Sequence, residues 1–214
     1  MLLTHRSKTS GELRDSWRTD PRIAAGLFSL LRPCSIDCCA SHDNHLLPDY
    51  FTREDNCLQI DWLAEAHSRM VEPALFANPP FSRVDVRAAV PHNGMSNFFD
   101  KARKEAEKGV YSQWLFRARP GENWFPWRHA SRIWFIVGRI GFVDAETGLV
   151  DTEQTENHAV AEFIPGERPF LAHGLPINRD DIIAAGERAL KTSRYPMLNK
   201  RFLELQSNQT GFYS

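Results

Sequence analysis

Asn78-Pro79-Pro80-Phe81 closes the apolar run Pro73-Ala74-Leu75-Phe76-Ala77, and these residue types define a chemistry. A neutral amide and an adjacent backbone carbonyl both accept hydrogen bonds, two prolines fix the chain between them, and an aromatic ring offers a stacking face. Such a group suits a planar ligand that carries an NH2. The run before it reads as a buried strand stopped abruptly by the double proline, which delivers Asn78 to the carboxyl edge of a sheet. In open α/β sheets ligands bind at that edge.

The elements that must position this tetrapeptide follow from periodicity and punctuation. Asp20 caps a helix with Pro21 in its first turn and Ile23, Leu27, Leu30 and Leu31 on one face, and Pro33 stops it. Ser35 to Ala40 has the form of a first parallel strand with Asp37 towards its end. A second short strand lies near Tyr50-Phe51-Thr52, a brief helix runs from Trp62 towards Met70, and the strand ending at Asn78 follows. Ser82 to Asn93 is a loop of a length at which functional lids occur. Met95, Phe98, Phe99, Ala102 and Ala106 mark an amphipathic helix ended by Gly109. Strands are expected at Tyr111–Phe116 and Ile133–Val137, then a turn into another strand over Gly138–Val143, and a further strand at Ala159–Ile164. Glu146-Thr147-Gly148 supplies turn chemistry for a hairpin between the last two. A final helix runs through Ile182, Ala185 and Leu190, and the tail beyond Arg194 reads as irregular. Strands alternating with helices predict an α/β fold, a mostly parallel sheet with helices on both faces and an antiparallel edge hairpin. The expected organisation is a flexible arm over 1–15, the main domain over 16–165, and a C-terminal helical extension over 166–214 packed on it.

The chain has 214 residues and a net charge of -1, enough to bury a core and without the global positive field of a purely electrostatic nucleic-acid binder. Any nucleic-acid contact must rest on a local patch, for which Arg83, Arg87, Arg117, Arg119 and Arg128 are the candidates, all expected near the carboxyl edge. No stretch approaches a membrane span, and the reading is a soluble, cytoplasmic protein with no membrane partner. The four cysteines, Cys34, Cys38, Cys39 and Cys57, are too bunched for a disulfide framework and read as reduced thiols. A zinc site from Cys34, Cys38, His42 and His45 lacks the usual paired spacing, so no metal is expected.

Several blocks, in order, resemble the phage-type Dam family of DNA N6-adenine methyltransferases. They are Asp15 to Pro21; Ile36-Asp37-Cys38-Cys39-Ala40 with Asn44; Tyr50 to Asp55 followed by Asp61-Trp62; Asn78 to Ser82; Lys101 to Ala106; and Arg132 to Phe142. The resemblance implies a Rossmann-like fold that binds S-adenosylmethionine and methylates adenine in DNA, in a phage or prophage setting within a bacterial host. It implies that Trp17, Arg18 and Thr19 help hold the cofactor, with Asp37 beside it and Asp55 on its ribose or adenine. Asn78, Pro79, Pro80 and Phe81 would form the catalytic clamp, with Asn78 also at the cofactor. Cys38-Cys39 stands where the family tends to show Ala-Ala, and the Arg83–Asn93 loop is longer than the family's usual connection.

An adenine amine is a poor nucleophile because its lone pair is delocalised into the ring. Acceptance of hydrogen bonds by the Asn78 side-chain oxygen and the Pro79 carbonyl would favour pyramidal geometry at that nitrogen. A base inside a duplex cannot reach such a clamp and must be flipped out, with Phe81 replacing its lost stacking. Two alternatives remain at this level: the same fold acting on RNA or on a protein glutamine, and a catalytically silent nucleic-acid-binding scaffold. The recognition site, the oligomeric state and a role in restriction evasion or genome marking are not legible.

Overall fold

The computed structural model describes residues 17–80, 94–151, 156–192 and 194–211. The expected arm over 1–15, the loop between Phe81 and Asn93, and with them Phe81, Arg83 and Arg87, lie outside the described residues.

A seven-stranded sheet forms the centre. In chain order its strands are β2 (Ile36–Asp37), β3 (Asp49–Tyr50), β4 (Ala74–Ala77), β5 (Tyr111–Arg117), β6 (Arg132–Val137), β9 (His158–Phe163) and β10 (His173–Asn178). Spatially they run β3-β2-β4-β5-β9-β6-β10, and only β9 is antiparallel to its neighbours. β4 is buried at every position, as a parallel central strand requires. A separate small sheet joins β1 (Arg18–Thr19), β7 (Phe142–Val143) and β8 (Val150–Asp151).

Side chains alternate across the main sheet into two cores. On one face α2 (Trp62–Ser68) and α3 (Met95–Glu107) pack with Leu75, Ala77, Trp114 and Phe116. On the other α1 (Pro21–Leu30), α4 (Arg179–Lys191) and α5 (Pro196–Gly211) pack with Ala74, Phe76, Leu115 and Val160. The connection from β5 to β6 crosses the first face without a helix. Trp124 and Phe125 do the covering there, with Trp124 stacked on Phe99 and Phe125 on Phe135. The aromatic turn is thus an anchor against the core. Among the described residues no helix is long and apolar enough to cross a membrane.

The local signals for α1 act as expected. The Asp20 side chain accepts from the Arg22 backbone N–H at 2.8 Å, and Pro21 occupies the first turn. α1 and α4 then approach until their backbones nearly touch. A Cβ at Gly26 would lie 2.0 Å from the Ile182 carbonyl oxygen, and one at Gly186 would lie 1.9 Å from that of Arg22.

Five expectations are corrected. The first strand is shorter than Ser35–Ala40, because after Asp37 the chain bends at Cys38-Cys39 while the Asp37 carboxylate accepts backbone N–H groups of Leu46 and Cys39. The hairpin through Glu146-Thr147-Gly148 joins β7 to β8, not to β9. Asp144 Oδ1 accepts from the backbone of Glu146 and Thr147 and closes a tight turn, so the strands beside it pair with each other. β9, buried throughout, inserts between β5 and β6, and the antiparallel element is interior rather than at the edge. The edge strand is β10, within the segment expected to be a helical extension. It tolerates Pro176 because an edge strand is paired on one side only. The tail beyond Arg194 is helical as α5, with Leu198 and Leu205 buried.

The α1–α4 contact leaves no room for a methyl group. Gly186→Ala and Gly26→Ala are each expected to destabilise the fold by about 1–3 kcal/mol, the cost of overpacking a tight contact. Equilibrium urea unfolding of the two variants against the wild type measures this.

Candidate functional site

β2 has β3 on one side and β4 on the other, so the chain leaves β2 in one direction and returns to pair in the opposite one. Such a reversal opens a crevice outside the carboxyl ends of the two strands. Asp37 ends β2 and Asn78 immediately follows β4, so both stand at that crevice.

The alternation of faces decides where they point. Ile36 and Cys38 belong to the α2–α3 core, as do Leu75 and Ala77, which turns Asp37 and Asn78 to the α1 side. There Asn78 Nδ2 donates to Thr19 Oγ1 at 3.1 Å. This bond fixes which way the amide lies, and Asn78 Oδ1 is left buried with no hydrogen-bond partner among the described residues. A buried unpaired acceptor costs about 1–3 kcal/mol, and such groups mark places where a donor is to arrive. Pro79 is buried and Pro80 half-buried behind it.

Asp37 is buried, and desolvation pushes its carboxyl up to about 6 against the lowering effect of the Leu46 and Cys39 N–H groups. It is ionised at neutral pH and poorly compensated. Arg18 and Thr19 are held by antiparallel pairing with Val143 and Phe142, and Arg18 Nε is a second buried atom without a partner among the described residues. Trp17, half-buried, packs on the core of the α1 side. The structure therefore brings Thr19, Asp37 and Asn78 to one crevice, with Arg18 the neighbour of Thr19 on β1.

Asp55 sits in the turn after β3 at the same edge, but it is exposed. Its Oδ2 accepts from the backbone N–H and hydroxyl of Thr52 at 2.7 and 2.8 Å, bonds that hold its carboxyl below the usual range and make it a turn former in this structure. Arg117 ends β5 on the α1 side of the carboxyl edge. Arg119 follows it, exposed and paired to Glu156 at 2.5 Å. Arg128 is on the opposite edge: it precedes the amino end of β6 and lines a cavity with Arg103, Glu107 and Arg168. Its expected placement near the carboxyl edge or its loops does not hold, because the segment after β5 runs across the sheet before β6 begins.

His158 was not singled out from the sequence. It pairs with Arg117 at the carboxyl end of β5, on the face of Asn78, and its ring lies 4.9 Å from that of Phe142. Burial pushes its pKa down to about 4 and keeps it neutral. Its Nδ1 also lacks a partner among the described residues. A lone histidine at the start of an apolar strand carries no spacing signal, and only the insertion of β9 reveals its position.

Residues 6–189 match the model of a family described as DNA N-6-adenine-methyltransferase (Dam). The chain belongs to the Dam family. It is similar to the DNA N-6-adenine-methyltransferase of Escherichia phage T1, 25% identical over 159 residues, 66% of this chain and 59% of that protein. It is also similar to the putative methyltransferase YfdM of Escherichia coli (strain K12), 37% identical over 86 residues, 37% of this chain and 89% of that protein. The chain thus spans about three-fifths of the phage T1 protein it matches. No solved structure matches it. The Dam-family match includes every residue of the crevice and every strand of both sheets, and stops short of α5.

Thr19→Val removes the acceptor for Asn78 Nδ2 while keeping the shape of the side chain. The loss is expected to lower stability by about 0.5–1.5 kcal/mol, the net value of a hydrogen bond. It should also speed exchange of the Asn78 side-chain amide protons, read by NMR. Unchanged exchange would show that the bond does not orient the amide.

Proposed function

We propose that this chain is an S-adenosylmethionine-dependent DNA adenine-N6 methyltransferase with a Rossmann-like sheet, acting at specific sites and of phage or prophage type. The observation that carries the reading is Asn78 Oδ1, a buried acceptor without a partner among the described residues, held at the switch point of the sheet by Thr19 and the double proline. Family membership supplies the class of chemistry, and this atom supplies a place for it.

The crevice fits the cofactor's amino-acid end. Asp37 offers a buried carboxylate to an ammonium or hydroxyl group, and Arg18 offers an unpartnered charged donor to a carboxylate. Trp17 and Thr19 close that side, and Asp55 stands at the end nearer β3. When bound, S-adenosylmethionine supplies an electrophilic methyl group. The protein's task is to present the nucleophile. Asn78 Oδ1 and the Pro79 carbonyl accept the two amino protons of adenine, which draws its lone pair out of conjugation and stabilises the positive charge that develops on nitrogen. Asparagine does this at lower cost than aspartate, since an unpaired buried amide is cheaper than an unpaired carboxylate. His158, held neutral, adds no positive charge to the Asn78 face of the sheet.

The target base would be flipped out of the duplex, with Phe81 stacking on it for about 1–3 kcal/mol. Arg83, Arg87, Arg117 and Arg119 would contact phosphates along the carboxyl edge. Arg128, on the far edge, would serve only DNA that wraps around the domain. Asp37 also gives cofactor binding a pH signature: ionised above about pH 6, it attracts donors there and loses them as it protonates below.

Purified protein with radiolabelled S-adenosylmethionine and DNA from a host lacking adenine methylation should yield label in N6-methyl-2′-deoxyadenosine. Asn78→Ala should lower the rate by on the order of 10²-fold or more, as loss of one transition-state hydrogen-bonding group does. Label transferred to RNA or protein but not to DNA would overturn the assignment of substrate.

Calorimetric titration with S-adenosylmethionine across the acid range should show affinity falling by up to about tenfold per pH unit below about pH 6. Asp37→Asn should flatten that dependence. An equally steep fall in the variant would show that another group governs it.

A further inference from the structure

Three of the four cysteines converge although they come from two separate segments. The sulfurs of Cys38, Cys39 and Cys57 all lie within 4.8 Å of one another. This is not the grouping with Cys34 and the two histidines that the sequence invites. Cys34 lies in the opposite core with its sulfur 3.3 Å from the Leu75 carbonyl, while His45 stacks on Tyr50 and His42 Nδ1 meets the Tyr50 hydroxyl.

The backbone explains the convergence. The bend that ends β2, fixed by acceptance of the Cys39 N–H at Asp37, lets the neighbouring side chains of Cys38 and Cys39 both face the α2–α3 core. Cys57 arrives from the turn before α2, just after Asn56 at a φ of 51°, and its carbonyl accepts from the buried Trp62 indole at 2.7 Å. Nearby, the Lys101 ammonium is held by the Ile60 carbonyl at 2.6 Å and by Glu105 at 2.7 Å. Its positive charge acts on Cys57 and would offset the negative charge that thiolate ligands gather around an ion.

We propose that Cys38, Cys39 and Cys57 form a binding site for one thiophilic d10 metal ion, of the zinc or copper(I) class. Metal–sulfur bonds of about 2.3 Å set three sulfurs around one ion roughly 4 Å apart, a small contraction from the present spacing. Soft thiolates select these ions over harder cations. Binding displaces the thiol protons and releases them to solvent, and no oxidant or reductant is needed. Cys38 and Cys57 are buried, whereas Cys39 is half-buried, so entry and any fourth, water ligand come from its side. The bound ion would tie the end of β2 to the turn that carries Asp55.

The test uses the full chain, reduced and kept anaerobic, titrated separately with Zn(II), Cu(I) and Cd(II) as a spectroscopic probe. The expected result is one equivalent bound, a thiolate-to-cadmium charge-transfer band, a rise in Tm, and X-ray absorption of the zinc form showing three sulfur neighbours at about 2.3 Å. Which of Zn(II) and Cu(I) binds more tightly assigns the class. Cys39→Ala, at the half-exposed position where folding is least at risk, should abolish the stoichiometric band, and Cys34→Ala should retain it. No stoichiometric binding to the wild type, fewer than three sulfur neighbours, or a band that survives Cys39→Ala would overturn the proposal.

Discussion

The approach of α1 to α4, backbone against backbone at Gly26 and Gly186, sets the position of everything that meets at the crevice. α1 is a short helix, and Thr19 stands one residue before its Asp20 cap. Where the helix axis lies on the sheet therefore decides where the Thr19 hydroxyl lies relative to β4. A wider helix–helix spacing would lift the start of α1 and carry Thr19 away from Asn78. Small-residue packing far from the chemistry thus controls the orientation of one amide.

Two further constraints converge on that amide. The double proline ends β4 without a backbone donor at either position, so the strand cannot extend past Asn78 and compete for its oxygen. β1 pairs with β7, and Phe142 of β7 contacts the His158 ring, so the crevice wall is continuous from the small sheet to the large one. The site is assembled from two sheets and a helix start. Its polar groups are under-satisfied as a set: an amide oxygen, a guanidinium nitrogen, an imidazole nitrogen and a carboxylate short of compensation. Ordinary cores avoid each of these singly.

Much of this was legible in the residues, where local chemistry decides. Asp20-Pro21, the Asn78-Pro79-Pro80 stop and the acidic end of β2 carry their meaning in their neighbours, and the structure places all three as read. What failed to show was non-local. β9 has the composition of any buried strand, and nothing local says that it inserts antiparallel between β5 and β6; with that pairing hidden, His158 was hidden too. α5 ends in a polar run of glutamine, serine and asparagine, so the short helical period of Leu198, Phe202 and Leu205 is easily passed over, and only the packing of Leu198 and Phe202 on the core of α1 and α4 shows it. The location of Arg128 depended on the path of an irregular segment whose aromatic side chains, rather than a helix, define its route.

The two edges of the main sheet also bear on how the protein behaves while it is being made. At one edge β3 contributes two residues, too short a template for another chain to join. At the other, Pro176 removes a donor from the middle of β10 and breaks the row of hydrogen bonds that an incoming strand would need. A sheet with a non-local antiparallel strand must close long loops before its strands pair, which leaves edges exposed for longer during folding. Blunted edges at both ends limit intermolecular association in that interval, so a nascent population crowded on ribosomes would be diverted less readily into aggregates.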